Sequence, residues 1–137
     1  MLKSQIVQIQ INRPYDEAYR IVKVPKNFRL WSPVLEARFE PRGNNGRDWF
    51  VDLPTGAAIL RFSAPNDYGV LDYTVIPEDG KPSRSTAARL IRNGEVSELV
   101  ILFFQQPEQT EEAFASYVEW ATTDFMTLKS VVETMID

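Results

Sequence analysis

The chain contains no cysteine and no histidine in 137 residues. The first absence excludes disulfides, thiolate nucleophiles and most structural zinc sites. The second removes the commonest general base and the commonest metal ligand, so no Ser or Thr here can rely on a His base. There is no Gly-rich phosphate loop and no carboxylate cluster with metal-ligand spacing, so neither cofactor nor metal is expected. No apolar run approaches the ~18 residues of a membrane span, so integral membrane association is not expected. The N-terminus alternates Ile and Gln without an apolar core, unlike a signal peptide, and the cytoplasm is the default location. Basic residues are outnumbered by acidic ones, giving a net charge of −4. That balance argues against nucleic acid and against anionic membrane surfaces as partners.

What remains is ordinary globular material, 44% hydrophobic and 25% charged. The length suits one domain over 1–137 that buries about 65–70% of its unfolded surface. The dominant feature is the stretch Thr110 to Ile136. Phe114, Val118, Ala121, Phe125, Leu128, Val132 and Met135 recur at alternating spacings of four and three, which keeps them on one helical stripe. Thr110 suits the N-cap, and Glu111 and Glu112 suit the positive end of the helix dipole. A helix of about 27 residues is roughly 40 Å long, enough to cross a small domain.

Before it the chain reads mainly as strands. Gln5 to Asn12 alternates with Val7, Ile9 and Ile11 on one face. Pro14 opens a short helix over Asp16–Val22, and Lys26 to Trp31 allows one more helical turn before Pro33. From Val34 to Gln105 short strands alternate with turn chemistry. The first has Leu35, Ala37 and Phe39 on one face. Asp48–Leu53 and Ala57–Ala64 flank Thr55-Gly56; read as a two-residue loop, this pairs Leu53 with Ala58, Val51 with Leu60 and Trp49 with Phe62. That register sends Phe50 and Arg61 outward. Leu71, Tyr73 and Val75 alternate in the next strand. Arg84–Ile91 and Val96–Gln105 flank Asn93-Gly94, which predicts Arg89 opposite Glu98. Leu99 to Phe104 is apolar on both faces.

The order strand, two short helices, six meandering strands and long C-terminal helix resembles the START-related SRPBCC superfamily, in its polyketide cyclase/dehydrase-like and lipid-transfer-like branch. Local stretches resemble that family too: Ile11-Asn12-Arg13-Pro14-Tyr15-Asp16-Glu17-Ala18-Tyr19, Trp31-Ser32-Pro33, Gly69-Val70-Leu71-Asp72-Tyr73, and Leu128-Lys129-Ser130-Val131-Val132-Glu133. The resemblance implies an α+β helix-grip fold, a curved seven-stranded antiparallel sheet wrapped around the C-terminal helix and enclosing an apolar cavity. Relatives with a similar middle strand often carry His where this chain has Tyr73. Any His-dependent chemistry therefore does not transfer.

The residues mark the same interior. Trp31, Phe39, Trp49, Val51, Leu60, Phe62, Leu71, Tyr73, Tyr117, Trp120 and Phe125 are the candidate ligand-binding set. Tyr73, Arg89, Tyr117 and Asp124 are the side chains that offer proton chemistry. Tyr117 and Asp124 lie seven residues apart on one flank of the helix. Arg89 and Glu98 form either a buried acid–base pair or an exposed ion pair. Three readings stand: a binder of a small apolar or aromatic ligand, a cofactor-independent cyclase, dehydratase or isomerase, and a non-enzymatic interaction module with a filled core. A cavity of several hundred Å³ separates the first two from the third. An outer apolar patch of Phe50, Ile59 and either Val100, Leu102 and Phe104 or their alternates on that strand would suit a homodimer.

Overall fold

The computed structural model describes residues 1–135. In order, the chain forms β1 (Ser4–Ile11), α1 (Tyr15–Val22), two 3-10 segments (Pro25–Leu30 and Pro33–Glu36), β2 (Phe39–Pro41), β3 (Asp48–Leu53), β4 (Gly56–Phe62), β5 (Tyr73–Pro77), β6 (Arg84–Asn93), β7 (Val96–Phe104) and α2 (Glu111–Thr134). The strands make one antiparallel sheet in the order β1-β7-β6-β5-β4-β3-β2. This is the helix-grip arrangement.

α2 forms where its stripe requires. Phe114, Val118, Ala121, Phe125, Leu128 and Val132 are all buried. Thr110 caps the helix, its Oγ1 accepting from Ala113 N at 3.0 Å. The helix ends at Thr134, and Met135 turns extended while packing on the core. Ile136, assigned to the helix by periodicity, lies outside the described residues.

The turns differ from expectation in three places. Val34 and Leu35 belong to the second 3-10 segment, because Pro33 starts a helical turn there. Leu35 lies buried under the sheet, and the strand shrinks to Phe39–Pro41. In the β3–β4 hairpin Leu53 faces Gly56, Val51 faces Ala58 and Trp49 faces Leu60. Pro54-Thr55 is therefore the two-residue loop, with Pro and Gly at the turn positions they favour. The slip is by two residues, so every side chain keeps its face. In the β6–β7 hairpin Gly94-Glu95 is the loop, with Gly94 at φ +62°. Gly at the first central position suits a type II′ turn. Arg89 then faces Val100, and Ile91 faces Glu98. The expected Arg89–Glu98 pair does not form: Arg89 Nε donates to Tyr68 O at 3.1 Å, while Glu98 accepts from Gln8, Gln10 and Asn93.

Gly69 fixes how the middle of the sheet is entered. At φ +69° it presses on β6, and a Cβ there would lie 2.1 Å from Leu90 O. Leu90 N donates to Gly69 O at 2.8 Å, and Asp72 Oδ1 takes Ala88 N at 2.9 Å. These contacts set Leu71 beside Ala88 and start β5 at Tyr73, two residues later than alternation predicts.

The interior divides in two. α2 covers Ile9, Ile11, Leu90, Leu99, Ile101 and Phe103 of β1, β7 and β6. Leu35, Trp49, Val51, Ala58, Leu60 and Phe62 form a second cluster on β3 and β4. Phe125 sits mid-stripe and is 6% exposed. Phe125→Ala should cost about 3–5 kcal/mol, as truncation of a buried Phe does. Urea titration measures this; a loss below about 1 kcal/mol would mean that the stripe carries little of the core.

Candidate functional site

The seam between the two clusters is where chemistry gathers. Phe28 and Tyr73 pack against both. Phe28 comes from the first 3-10 segment, and its ring lies 5.8 Å from Trp31, 5.2 Å from Phe62 and 5.4 Å from Tyr73. Tyr73 is held by its register, opposite Phe62 on β4 and Thr86 on β6. A half-open cavity of about 40 Å³ remains here, walled by Phe28, Trp31, Phe62, Leu71, Tyr73 and Phe125 among others. The void is far below the several hundred Å³ that would separate a ligand cavity from a filled core. Trp31 is 1% exposed, and its indole N–H has no hydrogen-bond partner among the described residues.

Polar groups converge beside these rings. Ser32, buried at the start of the second 3-10 segment, donates its hydroxyl to Asp124 Oδ2 at 3.2 Å. Asp124 and Tyr117 project from the same flank of α2, and the Tyr117 ring meets Phe103 edge-on at 5.9 Å. Thr86 is buried opposite Tyr73, and its hydroxyl influences both the Tyr73 and Tyr117 phenols. Burial pushes the Tyr73 phenol far above its ordinary value; Tyr117 adds to the rise, Thr86 opposes it and Asp124 adds a little more. Tyr117 is raised chiefly by burial as well. Burial also raises the Asp124 carboxyl, and the Ser32 hydrogen bond only partly offsets it. These five groups can donate or accept hydrogen bonds in a partly desolvated place, and the Asp124 carboxyl holds its proton to a higher pH than an ordinary aspartate.

A second carboxylate, fully buried, shows the opposite behaviour. Asp48 receives Arg61 at 2.8 and 3.0 Å on the outer face, and that pairing, the largest influence, holds it below the usual range. Asp48 is tied up structurally. Asp124 is not.

The residues singled out from sequence divide accordingly. Trp31, Phe62, Leu71, Tyr73 and Phe125 line the cavity, while Trp49, Val51 and Leu60 are buried in the second cluster. Phe39 is half-buried and stacks on Trp49 at 4.4 Å. Tyr117 and Asp124 join Tyr73 at the seam. Trp120 does not point inward: it is 49% exposed beside Tyr117, because its helical position lies past the edge of the stripe. Arg89 faces outward between the inward Ala88 and Leu90, and it takes no part. Phe28, Ser32 and Thr86 were not singled out from sequence. Thr86 shares its alternation with Ala88 and Leu90, a signal available once the face is known. Phe28 lies in a 3-10 segment with no usable periodicity.

No family model matches the chain, and no curated protein sequence matches it. Solved structures do. A START superfamily protein from Mycobacterium smegmatis superposes with a TM-score of 0.69 at 12% identity, over 97% of this chain and 99% of the other. Truncated norcoclaurine synthase from Thalictrum flavum gives 0.66 at 14% identity, over 99% and 96%. CalU16 from Micromonospora echinospora gives 0.61 at 18% identity, over 98% and 78%. At such identities the likeness is one of fold, and that fold is the helix-grip fold of START-type proteins. Among the described residues, no helix is long and apolar enough to cross a membrane.

The Asp124 environment makes a pH prediction. A carboxyl whose folded pKa stands above its usual 3.8 is harder to ionise folded than unfolded. Its penalty is absent below 3.8, grows as pH rises from there and is complete above the folded value. Asp124→Asn removes the titration, so the variant should gain stability relative to the parent between about pH 3 and about pH 7. Urea unfolding at several pH values reads this. A stability difference independent of pH would show a carboxylate with ordinary solvation.

Proposed function

We propose that this chain binds a small apolar or aromatic molecule at the seam between sheet and C-terminal helix. The supporting observation is the junction of an aromatic cage with the Tyr73, Tyr117, Thr86 and Asp124 cluster. Apolar walls with a few convergent polar groups are what small-molecule sites use. The cavity of about 40 Å³ is too small for such a ligand with every side chain in place. Ligand pockets usually span about 300–1,000 Å³. Phe28 is the side chain best placed to yield. Its 3-10 segment contains no fully buried residue. An aromatic ligand would take the place of the Phe28 ring against Trp31, Phe62 and Tyr73. The cysteine-free composition fits a reducing compartment, and we place the protein in the cytoplasm.

One observation favours a second reading, a cofactor-independent cyclase, dehydratase or isomerase. The Asp124 carboxyl is raised above its ordinary value on the same helix flank as the Tyr117 phenol, and with Tyr73 these are groups able to pass protons without His. Binding is the step both readings share.

Calorimetric titration with a naphthol tests it. Tyr73→Phe keeps the shape and deletes the hydroxyl, so affinity should fall by about 0.5–1.5 kcal/mol if that hydroxyl meets ligand. Phe28→Ala should raise affinity by opening the cage. If neither the parent nor Phe28→Ala binds the probe, the interior is a filled core and the interaction-module reading replaces this one.

A further inference from the structure

The two edges of the sheet are finished differently. β2 has three residues, contains Pro41, and carries an Arg38–Glu40 ion pair, all features that discourage strand addition. β1 has eight residues, with no proline and no charge. Gln105 N donates to Lys3 O at 2.8 Å, so in this antiparallel ladder the odd-numbered residues of β1 exchange bonds with β7. The backbone groups of Ser4, Ile6, Gln8, Gln10 and Asn12 therefore point away from the sheet. α2 occupies the last two positions. Lys129 Nζ donates to Gln10 O at 2.8 Å and Asn12 N donates to Glu133 Oε2 at 2.6 Å, while Lys129 and Glu133 pair with each other. Among the described residues, no hydrogen bond takes the outward N–H or C=O of Ser4, Ile6 or Gln8. Beside them runs an open groove of about 410 Å³ between Gln5 and the Val118, Glu119, Thr122 and Met126 side of α2.

We propose that this edge pairs with the same edge of a second copy of the chain. The free groups are symmetric about Ile6. A two-fold antiparallel pairing sets Ile6 against Ile6 and Ser4 against Gln8, with two hydrogen bonds at each pair. Ile6 is 65% exposed on the outer face, next to Leu102 and near Phe104, which is 42% exposed. Pairing brings Ile6 against its counterpart, with Leu102 beside it on β7, and removes the Ile6 side chain from water. The segment is uncharged, so two copies of an acidic chain meet there without like charges. The bonding pattern closes on itself at Gln8, because α2 already holds Gln10 and Asn12. The partner is a second copy because the run is its own complement.

Light scattering from about 10 µM to about 500 µM, a range that brackets weak association, should show the mass rise from 15.7 kDa toward twice that value. Over the same range, hydrogen exchange at the Ile6 and Gln8 amides should slow by about tenfold or more as those amides become bonded. Ile6→Lys should hold the chain at the monomer mass throughout. Ile6→Pro deletes only an N–H that points outward and should do the same with the β7 ladder intact. An unchanged urea midpoint shows that each variant is folded, and Ile6→Lys decides if the proline variant is not. A monomer at every concentration overturns the proposal, whether the edge is then idle or takes a strand from another protein. A dimer that ignores Ile6→Lys, or leaves the Ile6 and Gln8 amides exchanging freely, also overturns it.

Discussion

An α-helix with its side chains is about 10 Å across, whereas seven strands at about 4.8 Å spacing make a sheet about 29 Å wide. One helix cannot cover such a face. α2 covers the β1, β7 and β6 side, where its stripe is sealed against Ile9, Ile11, Leu99 and Ile101. The β3 and β4 side needs another cover, and the second 3-10 segment supplies it through Leu35. A seam between the two covers follows from this geometry. Phe28 of the first 3-10 segment, Trp31 at its C-terminal cap and Tyr73 of β5 fill it.

The seam also explains why polar residues lie inside. Tyr117 and Asp124 leave the flank of α2 at the place where its apolar contacts with the sheet run out. Ser32 and Thr86 come from the opposing walls. Each of these groups finds a partner or a near neighbour there, so burial is tolerable, yet none is locked in an ion pair of the Asp48–Arg61 kind. A half-buried carboxyl answered only by a hydroxyl is an arrangement that adds little to stability alone. It is a useful one for orienting the polar end of an otherwise apolar molecule.

Much of the architecture was legible because it rests on repetition. The buried α2 stripe from Phe114 to Val132 persists over about five turns, and β1 alternates from Val7 to Ile11, so each periodicity leaves little choice. Face assignments survived even where the β3–β4 register slipped, since a slip of two residues conserves the alternation. Turn chemistry was less decisive. Pro54-Thr55-Gly56 and Asn93-Gly94-Glu95 each allow two placements of a two-residue loop, and Arg89 was paired with Glu98 through the wrong one. The candidate site was legible in part: Tyr73, Tyr117 and Asp124 do converge. Phe28, Ser32 and Thr86 depend on how non-repetitive segments fold back over the sheet, for which periodicity carries no signal. Trp120 was misplaced because a position just beyond the stripe was treated as though it were within it.

An aromatic ligand held in the seam in place of Phe28 would sit against Trp31. The most direct measurement follows the Trp31 indole N–H resonance while a naphthol is added. That donor has no partner among the described residues and lies against the Phe28 ring. The account predicts a saturable shift at Trp31, with accompanying shifts at Phe28, Tyr73 and Tyr117 and little change at Trp49. No shift at Trp31, or shifts confined to Phe50, Ile59 and Leu102 on the outer face, would contradict it.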